Sequence, residues 1–168
     1  MEFANGLRLV GDEIHPIDVV ESMAIYKDWT FDRLTENRIA MSVEGQWRSY
    51  SLTLSWAPGD EVLQLVCTFE MEPPEDKLPV LYDLLNRCND KVWIGAFTFW
   101  QDRNLMAWRH GLCLAGGQMV GEEQVDRLIG GAVLTAEQFY PAFQLALWGD
   151  RPPDDALTVA IAEAYGRA

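Results

Sequence analysis

From Pro16 onward the apolar residues fall at helical spacing: Ile17, Val20, Met23 with Ala24, and Tyr26. Proline costs nothing in a first helical turn, where no amide donor is needed. Asp18 and Glu21 sit at the end the helix dipole favours, so "HPIDVVESMAIYKDW" is predicted to be a helix. The period then changes to two. Ile39, Met41 and Val43 share one face, then Tyr50, Leu52, Leu54 and Trp56, with Ser49, Ser51, Thr53 and Ser55 on the other side. Glu44-Gly45 reads as a two-residue hairpin turn, and pairing Val43 with Gln46 sets Ile39 opposite Tyr50. After the turn "APGDE", Leu63, Leu65, Cys67, Phe69 and Met71 point inward. Such alternation is that of an antiparallel sheet, packed on one face and wet on the other.

"EPPEDKLPVLYDLLNRCNDKVW" returns to helical spacing through Leu78, Leu81, Leu84-Leu85, Cys88 and Val92, with Asp76 as the expected cap. A second hairpin follows. Pairing Gln101 with Asn104 sets Phe99 against Met106 and Phe97 against Trp108, since opposed residues share a face. His110 then joins the aromatic face near Gly95, and Arg109 points away. A long helix carries Val125, Leu128, Ile129, Ala132, Ala136, Phe139, Tyr140, Phe143 and Leu147 as its main stripe. The stripe stays in phase across Pro141, which is expected to bend the helix without ending it. A second apolar line, Leu134, Pro141, Leu145 and Trp148, asks for another partner. That partner is either a second chain, giving a homodimer, or the short terminal helix over Ala156 to Ala164 folded back. The reading is α+β: an antiparallel sheet with helices packed on one face, in the order α-β-β-β-β-α-β-β-α-α. Residues 1–14 read as a flexible N-terminal arm and 15–168 as a single domain.

Composition narrows the functions. Twenty-six acidic against 13 basic residues give a net charge of −13. That surface repels nucleic-acid backbones and anionic membranes. No apolar run reaches the roughly 20 residues of a membrane helix. The first ten residues lack a basic region followed by an apolar stretch, so no signal peptide is expected. Cys67, Cys88 and Cys113 are scattered and odd in number, which argues against a disulfide framework and a zinc site. A cytoplasmic protein without cofactor or metal is expected.

The chain has only two histidines, His15 and His110. Neither neighbours a nucleophile elbow. Along a strand Trp108, Arg109 and His110 alternate sides and cannot converge on one atom. His110 therefore reads as scaffold, and no catalytic residue is assigned. "GGQMVG" lacks the Lys-Ser/Thr pair of a phosphate loop and is followed by Glu122 and Glu123. Most of the seven tryptophans fall at inward strand positions, with Trp47 and Trp148 as exceptions that would mark a binding surface if exposed.

Several phrases carry a family resemblance: "HPIDVVESMAIYKDWTFDR", "VEGQWRSYSLTLSW", "LQLVCTFEM", "WRHGLCL" and, most specific, "EQFYPAFQLALWG". Over about Pro16 to Ala164 the chain resembles the bacterial YbjN family, described as candidate sensory-transduction regulators. The order of elements is similar to the type III secretion chaperone fold. The resemblance implies a non-enzymatic regulatory or chaperone-like protein-binding module and brings no catalytic residue with it. The alternative is a small-molecule sensor or enzyme with a pocket near Trp108, His110 and Tyr140.

Overall fold

The structure, a computed structural model, describes residues 9–10 and 13–166. The expected arm over residues 1–14 falls mostly outside that range. Within it β1 (Leu9–Val10) and β2 (Glu13–Ile14) form a two-stranded ladder. Next come α1 (Pro16–Tyr26), β3 (Thr30–Thr35), β4 (Arg38–Glu44), β5 (Ser49–Ala57) and β6 (Val62–Glu70). Helix α2 (Leu78–Lys91), β7 (Ala96–Trp100), β8 (Leu105–Cys113), α3 (Glu122–Leu147) and α4 (Pro153–Gly166) complete the chain. The six main strands form one antiparallel sheet in the order β3-β4-β5-β6-β8-β7. From α1 on, the element order is the one the periodicity predicts.

Period two decides which sheet face is covered. Ile39, Leu52, Leu54, Leu63, Leu65, Cys67 and Met106 are buried in one core with Leu81, Leu84, Ile129, Phe139 and Phe143 from the helices. Ser49, Ser51 and Gln64 on the opposite face are exposed. Phe97 meets Phe139 and Phe143 edge-on, each at 5.6 Å, which ties the β7–β8 hairpin to the C-terminal half of α3. The hairpin register is as expected, with Phe97 opposite Trp108 and Phe99 opposite Met106. A 3-10 turn over Gln101–Arg103 closes it, and Asn104 takes the left-handed conformation at φ 50°.

At the start of α1 the His15 imidazole caps the helix by accepting from the Ile17 amide at 3.1 Å. Arg33 on β3 reaches back to α1, donating to Asp18 at 3.1 Å and to Glu21 at 2.6 Å, which compensates the buried Asp18 carboxylate. Helix α3 runs unbroken through Pro141.

Four expectations need correction. The β4–β5 connection is not a two-residue turn. Glu44 pairs with Ser49, so Ile39 faces Leu54 and Val43 faces Tyr50. The cause is long-range: the Glu137 carboxylate on α3 holds the Gly45–Arg48 loop open, as described below. Asp76 caps nothing. A 3-10 turn over Glu75–Lys77 leads into α2, and Lys77 at the cap position makes no side-chain capping bond. Tyr26 is exposed with Ile25, beyond Ala24, the last buried residue of α1. Of the seven tryptophans only Trp108 is buried; Trp29, Trp56 and Trp100 are half-buried. Trp93, in the α2–β7 connection, is 99% exposed.

The second apolar line of α3 is divided. Helix α4 folds back on α2 and α3, burying Ala156, Leu157 and Ala160. Pro141 and Leu145 are half-buried, whereas Leu134 (72% exposed) and Trp148 (47%) stay at the surface.

Candidate functional site

Two open grooves carry the residues that sequence reasoning singles out. The larger, about 860 Å³, lies where the β4–β5 loop meets α3 and is lined by Trp47, Arg48, Ser49, Ser51, Thr68, Phe69, Glu70, Leu105 and Tyr140. Its geometry begins with Glu137. One turn before Tyr140 on α3, this carboxylate accepts from the amides of Gln46 (3.0 Å) and Trp47 (3.2 Å) and from the Tyr50 hydroxyl. Gly45 is required there, since a Cβ would fall 2.4 Å from a Glu137 oxygen and 2.6 Å from the Tyr50 ring. Burial, and then the hydrogen bond to Glu137, raise the Tyr50 hydroxyl far above its ordinary value, so it remains a donor.

The loop so fixed presents two side chains to Tyr140. Trp47 stacks on its ring at a centroid distance of 6.5 Å. The Arg48 guanidinium lies 5.8 Å from the centroids of both Phe69 and Tyr140 and donates to the Glu70 carbonyl at 2.6 Å. The Tyr140 hydroxyl is held by Gln144 at 2.7 Å. The result is an aromatic wall with a pinned cation and a floor of Ser and Thr hydroxyls. The Ser49 hydroxyl in it donates to the Glu44 carboxylate at 2.6 Å. To a ligand the groove offers aromatic faces and a cation.

The smaller groove, about 510 Å³, lies beside Gly95 and is lined by His110 and Arg109 among others. The His110 ring meets the Trp108 ring edge-on at 5.7 Å. Gly95, at φ +78°, lies against the Trp108 indole so closely that a Cβ would come 2.2 Å from a ring carbon. The Trp108 Nε1 is buried without an acceptor among the described residues. Trp108 and His110 are thus neighbours, but Tyr140 lines the other groove, and the two grooves share no residue. Sequence reasoning missed Arg48, Phe69 and Glu137. The fragment "EGQWRSY", where period two is interrupted by Gly, Trp and Arg together, holds the only signal for the first.

Burial holds the His110 imidazole below its ordinary pKa and hence neutral near pH 7. A depressed histidine pKa means the unfolded chain binds the proton more readily, so this contribution is complete above about pH 6.5 and fades as pH falls below it. His110→Gln is expected to remove that component. Its urea midpoint should fall less between pH 7 and pH 5 than that of the wild type.

Burial also pushes the Cys67 and Cys88 thiols up to about 12, whereas Cys113 is exposed. One thiol per native chain should react with a disulfide reagent at pH 8, and three after unfolding. Among the described residues no group of three or more His, Cys, Asp or Glu side chains is placed to hold a metal ion. Nor is any helix long and apolar enough to cross a membrane.

Fold and grooves together describe an α+β protein with one six-stranded antiparallel sheet and two open grooves. The family model described as "YbjN: Putative bacterial sensory transduction regulator" matches residues 16–145, and the chain belongs to this family. Among solved structures the chain is similar to "YbjN, a putative transcription regulator from E. coli", with a TM-score of 0.50 and 12% identity over 96% of both chains. At that identity the likeness concerns the fold alone. No curated protein matches the chain significantly.

Proposed function

We propose that this chain is a non-enzymatic, regulatory or chaperone-like module of the cytoplasm that binds another protein through the Trp47–Arg48–Tyr140 groove. The observation that carries this reading is the Glu137 anchor. It spends a carboxylate, two backbone amides and a buried hydroxyl on fixing a loop that carries the exposed Trp47 and the half-buried Arg48. Rigid aromatic residues and arginine are the side chains that dominate protein–protein contacts. The family's description as regulators agrees with it. Against the small-molecule sensor or enzyme stands the separation of Tyr140 from His110. Affinity capture from bacterial cytosol tests the reading. A protein retained by the wild type and by Trp93→Ala, but lost with Trp47→Ala, supports it. Equal capture by all three contradicts it.

The same reading includes pairing as a homodimer through the surface ends of the α3 line, Leu134 and Trp148, with Pro141 and Leu145 between them. A self-complementary apolar surface is what a two-fold pair requires. Light scattering at micromolar concentration should give the mass of two chains, falling to one with Trp148→Asp. A mass of one chain for the wild type rules the dimer out.

A further inference from the structure

We propose that the edge of β8 beside Gly95 is a second docking site, which takes an extended polypeptide segment bearing a carboxylate. The backbone makes the first argument. Strand β7 accompanies β8 only as far as Arg109, opposite Ala96. Beyond it, His110 to Cys113 pair with β6 alone. The Leu114 amide bonds to the Glu61 carbonyl at 2.7 Å, continuing the β6 ladder. By the alternation of an antiparallel ladder, Gly111 and Cys113 therefore turn their N–H and C=O groups to the opposite side. Among the described residues no backbone hydrogen bond uses those groups. An unused stretch of strand edge with a concavity along it is a template for one more strand.

Charge makes the second argument. The chain has twice as many acidic as basic residues, yet the residues lining this groove include no acid. Arg109 is exposed in it and makes no ion pair or hydrogen bond with any described residue. A guanidinium left unpaired in an acidic protein fits a carboxylate, with which it forms its strongest hydrogen bonds. The half-buried His110 beside it is neutral near pH 7 and adds no competing charge. Trp93 (99% exposed) and Ile94 (61%) precede Gly95 and offer apolar contact to the alternate side chains of an added strand.

The inference is independent of the Trp47 groove and is tested apart from it. A library of random hexapeptides displayed on phage is selected on the immobilised full chain, and a selected peptide is synthesised and titrated. Enrichment of Asp- or Glu-bearing sequences is expected. The Kd should rise at least tenfold in Arg109→Glu and stay unchanged in Trp47→Ala. The Gly111 and Cys113 amides should exchange more slowly in the complex. Arg109→Gln carries the same test should Arg109→Glu fail to fold. Failure to enrich acidic peptides, or an affinity indifferent to Arg109, overturns the proposal. So does displacement of the peptide by free glutamate at equal concentration, which would make this a small-carboxylate site.

Discussion

Phe143→Ala is expected to lower the unfolding free energy by about 3–5 kcal/mol, the usual cost of truncating a buried aromatic ring. Phe143 has no exposed surface and lies between the rings of Phe97 (5.6 Å) and Phe69 (6.5 Å). It is therefore a point where α3 joins two strands of the sheet, β6 and β7. The cavity cannot close easily, because β6, which carries Phe69, is held by ladders to β5 and β8, and the edge strand β7, which carries Phe97, by its ladder to β8. Leu134→Ala, on the same helix but exposed, should change stability by no more than about 0.5 kcal/mol. Urea unfolding of both variants checks the pair. A loss below about 1 kcal/mol at Phe143 would mean that the helix layer does not pack on the sheet as described.

Glu137→Ala should cost about 3 kcal/mol, although its side chain contributes little to the apolar core. The loss has two parts. Two loop amides lose a charged acceptor, and the buried Tyr50 hydroxyl is left without one. Tyr50→Phe removes the stranded hydroxyl together with its bond and should cost only about 1 kcal/mol. In the double variant the two losses should fall short of their sum by about 1 kcal/mol, because Glu137→Ala then leaves no orphan hydroxyl. Additive losses in a double-mutant cycle would show that Tyr50 and Glu137 do not share the bond.

These two residues also mark where the sequence is legible and where it is not. Phe143 belongs to a stripe that repeats every three or four positions through nine residues of α3, and eight of the nine are buried. The ninth, Tyr140, is half-buried because it faces the groove. The β7–β8 register was readable for a similar reason, since strict alternation and a short connection leave few pairings. Glu137 carried no such mark. It is one acid among 26, on the polar side of a helix, and its partners lie some 90 residues earlier in the chain. The same contact displaced the β4–β5 register from the expected one. The shift is an even number of residues, so Tyr50, Leu52 and Leu54 still point inward. The face was legible from local alternation, whereas the register depended on a tertiary contact. The vacant edge of β8 was hidden in the same way. It exists because β7 starts at Ala96 while β8 runs on to Cys113. Hydrophobic periodicity gives strand faces and leaves such mismatched ends unread.

In the function proposed above, the loop held by Glu137 presents Trp47 and Arg48 to a protein partner. The most direct test is the affinity of the purified chain for the protein it captures, measured by calorimetric titration against Trp47→Ala and Glu137→Gln. Trp47→Ala removes a contact residue and Glu137→Gln weakens the hold on the loop without emptying the site. We expect at least a tenfold rise in Kd for the first and a smaller rise for the second, with both variants folded by circular dichroism. A Kd unchanged in both would mean that the partner does not dock on the Trp47–Arg48 loop.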